Sequence, residues 1–546
     1  MQFTARLHVY SFTMALFGGL PLFGQEVIHN FTGSTGDSYG QVCDIVGDTD
    51  FDGRAEVMVG AWRDDIPGGG GSDAGSVFVY DGATGALVQN VYGTGAGDHM
   101  GYGSSSAGDA NGDGIFDICA AADEDNTGAG TNVGSAAIVD GATGAVLWLT
   151  EGDSTNDLYG WSTAAAGDVD NDGFDDCIIG ALLDDGGAGG GNAGSITVIS
   201  GATGTVIHKV FGDVASGNLG ANVGKVGDVN GDGFADFAGT RGSRVYVYSG
   251  ADASLLYDLA NGGASPNGKV SGGVDVNLDG FDDIILGEAS SNSGRGRVRA
   301  ISGADGTIIH QIFGDAGDGL GASVFGAGDL NGDGYEDFVA GSPNDDVNGS
   351  NSGSLKAFSG KDGTLISEVG GGGGNRRMGQ ACGGGHDING DGVNDCVASA
   401  TTSARAWAVS FVPTGVVPFG TGTPGCAGPQ GIGTNGQATV GNAGFAIHSS
   451  NSAPNAPAFL AMSSGSLPMG VPVLGVLAHI DPTVPFFQLL VTPAADANGS
   501  LEIPIAVPND PTQAGNTFSF QVATFWPGGS CTNLSTSRGM SVTIQP

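Results

Sequence analysis

One nine-residue pattern, D-x-[DN]-x-D-G-x-x-[DE], occurs seven times along the chain. Its oxygen-bearing side chains are Asp48, Asp50, Asp52 and Glu56 in the first copy, then Asp109, Asn111, Asp113 and Asp117 in the second. The third carries Asp168, Asp170, Asp172 and Asp176, and the fourth Asp228, Asn230, Asp232 and Asp236. The last three carry Asp275, Asn277, Asp279 and Asp283; Asp329, Asn331, Asp333 and Asp337; and Asp387, Asn389, Asp391 and Asp395. Positions 1, 3 and 5 place side-chain oxygens on one side of a tight loop, position 7 offers its carbonyl, and the acid at position 9 returns from the next segment. That donor set is all oxygen and suits a hard cation that takes about six to eight oxygen ligands, so the expected cofactor is structural calcium, up to seven ions. The glycine at position 6 permits the sharp turn.

Position 12, where an EF-hand loop needs a bidentate glutamate, is Val59, Ala120, Ile179, Gly239, Leu286, Ala340 or Ala398, which excludes EF-hands. A competing reading makes each loop an Asx-turn with solvated carboxylates. Turn chemistry alone, however, does not require an acid at position 9.

The loops start 61, 59, 60, 47, 54 and 58 residues apart, and each unit carries four short β patterns in fixed order, A to D, with the acidic loop between A and B. Four short strands per unit, repeated around an axis, predict a seven-bladed β-propeller. The seventh unit has no strand D before Pro413. Val27-Ile28-His29 matches the D-strand segments Val206-Ile207-His208 and Ile308-Ile309-His310, so the N-terminal segment is expected to complete blade seven and close both sheet edges. The full expectation is an all-β chain. Residues 1–24 form a secretory signal cleaved near Gly24, 25–412 the propeller, 413–433 a linker, and 434–546 a smaller β-sandwich.

At this point the units resemble FG-GAP repeats, as in the propeller of integrin α subunits and in secreted bacterial proteins. Gly40, Gly101, Gly160, Gly220, Gly321 and Gly379 stand eight residues before their loops, and strand B ends in Gly60-Ala-Trp, Gly180-Ala-Leu or Gly341-Ser-Pro343. Blade five departs, with Asn267 at the glycine position. The resemblance covers about residues 26–412. It implies a calcium-stabilised recognition platform, with metals on the A–B loop face and ligands on the opposite face.

Composition agrees with this class. Glycine fills 105 of 546 positions, too many for helical bundles, and a net charge of −41 repels phosphate backbones and anionic lipid, which argues against nucleic acid and membrane surfaces. No transmembrane segment is expected. Most B–C connections are acidic (Asp64-Asp65, Asp123-Glu-Asp125, Asp184-Asp185, Asp345-Asp346), but blades four and five have short ones carrying Arg241, Arg244, Arg295 and Arg297. These four arginines are a candidate notch for an anionic ligand, such as a uronate glycan or an acidic protein loop, or else they neutralise nearby acids.

Catalytic signatures are sparse. His29, His208 and His310 share one strand-D position, and no G-x-S-x-G or H-E-x-x-H occurs, so no enzymatic activity is expected. The alternatives weighed are a propeller-type polysaccharide lyase or hydrolase, and a quinoprotein dehydrogenase suggested by D-G-A-T-G-A-V-L-W ending at Trp148. The expected role is a secreted, extracellular or cell-surface adhesion or recognition module for a protein or glycan. Among seven cysteines, Cys382 with Cys396 and Cys426 with Cys531 are candidate disulfides, and Cys43, Cys119 and Cys177 are expected as buried thiols.

Overall fold

The computed structural model describes residues 26–412 except 67–70 and 261–268, together with strands and short flanks between 416 and 544. The expected leader, Cys426 and Cys531 lie outside the described residues. Seven antiparallel sheets of four strands each follow one another along the chain. In six of them the strands run consecutively, as in blade three: A (Tyr159–Gly167), B (Asp176–Ala181), C (Ser195–Ile199) and D (Val206–Phe211). The seventh is closed by the N-terminal strand Glu26–Thr32, which pairs antiparallel with strand C of blade seven, Arg405–Ser410, with His29 opposite Ala408. This is the closure that strand counting anticipates.

Burial grades outward along each sheet. Strand B is buried throughout in blades one, two, three, five, six and seven, while strand D of blade three is half-buried along its middle and exposed at both ends. Strand A residues from all seven blades line one central cavity of about 460 Å³, among them Asp44, Ser105, Ala164, Lys225, Ser271, Phe325 and Cys382. Strand A is therefore innermost, as a radial array requires. Apolar clusters sit between blades: Val46, Met58 and Val77 of blade one pack with Ile118 and Val139 of blade two, and Phe31, Val57 and Val59 pack with Val397 and Ala406 of blade seven. Close approach explains the repeat glycine before strand A. A Cβ on Gly220, at φ +86°, would stand 2.3 Å from the carbonyl oxygen of Ser195 in the preceding blade.

Beyond the propeller, one sheet contains Pro457–Ser463, Phe487–Ala494, Thr517–Phe525 and Gly539–Thr543, and a second contains Gly433–Thr434, Ala446–Ser449 and Leu501–Pro504. Both contribute to one core, with Leu460, Val522 and Met540 from the first and Ile447 and Ile503 from the second, which makes a sandwich. Two details differ from expectation. Val416–Phe419, read as linker, is a strand paired with Gly539–Thr543; its β-branched and aromatic residues suit a sheet, and Pro418 is tolerable on an edge strand. Ser466–Val473 and Val476–Ile480 form a hairpin that pairs with neither sheet, where a plain two-sheet sandwich was expected.

The cysteine register corrects one pairing. Cys382 lies opposite Ala398, and Cys396 opposite Gly384, so the two cysteines are offset along neighbouring strands and both remain free thiols. Cys119 and Cys177 do meet, in the apolar cluster across the boundary between blades two and three.

Candidate metal centre

Each acidic loop is a network of short backbone contacts. In loop four, Asp228 Oδ1 accepts the N–H of Asp232 (3.1 Å) and Oδ2 that of Gly233 (2.8 Å), Asn230 Oδ1 accepts Asp232 N–H (2.9 Å), and Asp232 Oδ1 accepts Phe234 N–H (3.0 Å). Gly233 holds φ +90° at the apex, with nothing within 4 Å of a notional Cβ, so backbone conformation alone selects glycine there. Each oxygen that accepts one N–H keeps a further lone pair for a cation.

Position 9 does something the sequence did not disclose. Asp236 is fully buried; its Oδ2 accepts Val229 N–H from its own loop (3.0 Å), and its Oδ1 accepts Gly250 N–H from the C–D turn (2.9 Å). Asp117, Asp176, Asp283 and Asp337 make the same pair of contacts, to Ala110 and Gly141, Val169 and Gly201, Val276 and Gly303, and Leu330 and Gly360. The acid thus latches the loop to the C–D turn. A structural reason for an acid at position 9 therefore exists without any ion, which corrects the premise that turn chemistry leaves it unexplained.

The same turn glycine receives the strand-D histidine of the preceding blade. Nε2 of His208 lies 2.6 Å from the Gly250 carbonyl, that of His310 2.5 Å from Gly360, and that of His29 2.7 Å from Gly82. Trp148 Nε1 donates to Gly201 (2.7 Å) and the Tyr257 hydroxyl to Gly303 (2.5 Å) from the equivalent positions. These histidines are occupied in joining blades.

Position 8 is a second feature missed in the sequence. Asp175 Oδ2 accepts Asp109 N–H (2.9 Å), Asp282 Oδ2 accepts Asp228 N–H (2.9 Å), and Glu336 Oε2 accepts Asp275 N–H (2.8 Å), so one loop caps the start of the loop before it. The only signal was an acid or asparagine at that position in four copies, which spacing alone could not assign to a neighbouring blade.

Several observations bear on whether a dication fits. In loop one, Asp48, Asp50, Asp52 and Glu56 bring oxygens within 4.8 Å of one another, and Asp168, Asp170 and Asp176 do so in loop three. Two buried position-9 oxygens, Glu56 Oε1 and Asp395 Oδ1, have no hydrogen-bond donor. Burial pushes the carboxyls of Asp117, Asp176, Asp236 and Asp283 up to about 7 and that of Asp395 up to about 8, with loop neighbours such as Asp113, Asp232 and Asp391 adding to the rise. Burial likewise holds Glu56 up at about 7. Carboxylates crowded together, with orphaned oxygens and raised proton affinity, are sites where positive charge is missing. The residues present therefore fit calcium.

The four arginines are spent internally. Arg241 pairs with Asp213 and lies 4.5 Å from the Tyr246 ring, Arg244 pairs with Asp258, and Arg297 Nε donates to Glu288 (2.9 Å), which also holds Arg299. Arg295 Nε donates to the Gly314 carbonyl (2.9 Å). Charge compensation accounts for three of them, and the set presents no free cluster of guanidinium forks. On the same face, the acids Asp64, Asp125, Asp184 and Asp345 accept the hydroxyls of Ser76, Ser135, Ser195 and Ser354 at the start of strand C (2.5, 2.7, 2.6 and 2.9 Å).

A closed ring of seven four-stranded blades, each with an oxygen-donor loop between strands A and B, defines a repeat propeller with candidate cation loops. The FG-GAP repeat family model matches residues 321–357, which run from the blade-six repeat glycine through loop six into strand C. Integrin alpha-PS2 of Drosophila melanogaster is 30% identical over 169 residues, 26% of this chain and 12% of the relative, so the match spans only a small part of that protein. A solved structure of BBS1N in complex with ARL6DN aligns with a TM-score of 0.45 at 8% identity, over 71% of this chain and 96% of that one. The chain is thus similar to FG-GAP repeat proteins over blade six and to an integrin α chain over part of its length.

Proposed function

We propose that this chain is an exported, non-enzymatic recognition propeller, held rigid by up to seven calcium ions, that binds an extracellular protein or glycan in adhesion. The observation that carries the reading is the acidic loop repeated in every blade, with orphaned buried oxygens at Glu56 and Asp395. Positions 1, 3, 5 and 9 and the position-7 carbonyl would hold each ion, and calcium would supply only charge neutralisation and loop rigidity. Engagement of the strand-D histidines in blade-to-blade hydrogen bonds supports a non-catalytic role. The partial match to an integrin α chain supports the extracellular setting. Among the described residues, no helix is long and apolar enough to cross a membrane.

The test is capture of ligands from extracellular matrix and from cell-wall glycans on the immobilised chain, in calcium and in chelator. Retention of a specific protein or glycan in calcium, and its loss in chelator, is the expected result. Equal capture in both conditions would remove calcium from the recognition mechanism, and turnover of a captured glycan would replace recognition by catalysis.

A further inference from the structure

On the face opposite the acidic loops, every long B–C connection repeats the same backbone frame. Arg63, Glu124, Leu183 and Asn344 each donate an N–H to the carbonyl of the residue three before a repeat glycine: Asp37, Asp98, Asp157 and Asp318. The residue after that acid is Ser38, His99, Leu158 or Gly319, and all four hold φ between +54° and +70°. The frame therefore superposes three side-chain positions between blades. Blade one fills them with Ser38, Trp62 and Arg63; blade three with Leu158, Leu182 and Leu183; blade six with Gly319, Pro343 and Asn344. Blade two alone among these fills them with His99, Asp123 and Glu124.

These three converge. His99 Nδ1 lies 3.6 Å from Glu124 Oε1 and 3.9 Å from Asp123 Oδ1, and one ligand atom from each residue falls within 4.8 Å of the others. Two donors at about 2.1 Å from a tetrahedral ion stand about 3.4 Å apart, so small side-chain adjustments bring all three into range. Asp123 is 1% exposed, and its Oδ1 has no hydrogen-bond partner although it faces the imidazole. The residue after Glu124, Asp125, accepts the strand-C hydroxyl as Asp64, Asp184 and Asp345 do in other blades, so Asp123 and Glu124 are additional to the repeat's structural needs.

In two other blades the acid at the Asp125 register has a cation beside it. In blade three, Lys209 Nζ sits 3.0 Å from both Asp153 and Asp184, and in blade six Lys356 Nζ sits 2.8 Å from Asp345 and 3.3 Å from Glu368. The residues of blade two in the registers of Lys209 and Lys356 are Leu149 and Ala137, which bring no charge. Trp62 packs edge-on against His99 at 4.5 Å between ring centroids, and Arg63 is held over the Trp62 ring at 4.2 Å.

We propose that His99, Asp123 and Glu124 form a second kind of metal site, for a divalent transition-metal ion of the zinc type, on the face opposite the calcium loops. An imidazole nitrogen with two carboxylates selects such an ion over calcium, which takes oxygen donors. Three protein ligands are one fewer than a closed tetrahedral site uses, so a coordination position remains for water or for a donor group of a bound partner.

The test is Zn²⁺ titration of the full calcium-loaded chain by calorimetry, paralleled by Co²⁺ with its visible absorption and its quenching of Trp62 fluorescence. One equivalent of Zn²⁺ bound in the presence of excess calcium, with Co²⁺ quenching, is expected. His99→Leu with Asp123→Leu installs the residues that blade three carries in this frame and should abolish that equivalent, leaving the calcium-dependent melt unchanged. Glu124→Gln, at a 40% exposed side chain where folding is not at stake, should weaken Zn²⁺ about tenfold or more. No Zn²⁺ uptake by the unaltered chain would overturn the site. Uptake unaffected by both variants would also overturn it and assign the zinc to the acidic loops.

Discussion

Replacing Asp236 by alanine separates the latch from the ligand at position 9. The substitution leaves the buried Val229 and Gly250 N–H groups without acceptors, having lost contacts of 3.0 and 2.9 Å. A buried donor left unsatisfied costs about 1–3 kcal/mol, so two cost about 2–6 kcal/mol. The lower half of that range applies at neutral pH, because burial already disfavours the carboxylate, whose pKa stands at about 7. The loss therefore appears in chelator, with no calcium present, at about 2–4 kcal/mol. Asp232→Ala is the control. Its carboxylate is exposed and accepts only the exposed Phe234 N–H, which water can serve, so stability in chelator should stay within about 0.5 kcal/mol of the parent while the calcium increment of that loop disappears. Asp236→Asn keeps one acceptor oxygen and should fall between the two. Guanidinium denaturation followed by tryptophan fluorescence, in calcium and in chelator, measures all three. If Asp236→Ala matches the parent in chelator, the latch reasoning is wrong.

Chelation itself should lower the melting temperature steeply: a site at about ten times its dissociation constant adds about 1.4 kcal/mol, and seven independent sites about 10 kcal/mol. A melt unchanged by excess chelator would refute calcium as the structural ion. Loops one and three carry acids at all four ligand positions, so Asp168→Ala should remove a tighter site than Asp228→Ala in calcium calorimetry; the reverse order would sink the ranking. Stability should also depend on pH in a calcium-dependent way. Position-9 acids with folded pKa values raised to about 7 hold protons more tightly folded than unfolded, so the calcium-free chain is most stable near the unfolded carboxyl range and loses stability as pH rises through 7. Calcium favours the ionised form and should flatten that decline; identical melting-against-pH profiles with and without calcium would contradict it.

Features that recur with the repeat were legible in the sequence; contacts between repeats were not. The seven loops, the A-to-D strand order and the match of Val27-Ile28-His29 to other D strands each depend on similarity within one register, which spacing reveals. The Asp175, Asp282 and Glu336 caps join loops that belong to different blades, and an acid that caps a neighbour looks the same as a solvated one. Cys119 and Cys177 are the buried thiols the sequence suggests, but that they share one cluster at the boundary between blades was not legible. Whether Arg241 and Arg297 form a notch or neutralise acids stayed open in the sequence, because spacing did not identify their partners, Asp213 and Glu288. His99 was passed over for the same reason: its neighbours come from the connection after strand B, more than twenty residues away.

Closing the ring with the strand Glu26–Thr32 places a constraint on how the molecule is made. Asn30 receives the Arg405 guanidinium from 375 residues further along, and Ser399 donates to the Gly40 carbonyl across 359. A ribosome working at about 5–20 residues per second needs roughly 20–75 s to travel from one partner to the other. Through that interval the first strand has no sheet to join, while blades one to six can assemble from consecutive strands behind it. An unpaired strand edge is a template for another chain, so the growing polypeptide is most exposed to mispairing in its earliest folded segment. A permuted chain opened between strands D and A of an inner blade would make every sheet from consecutive strands, and should reach its native state with less aggregation at equal final stability.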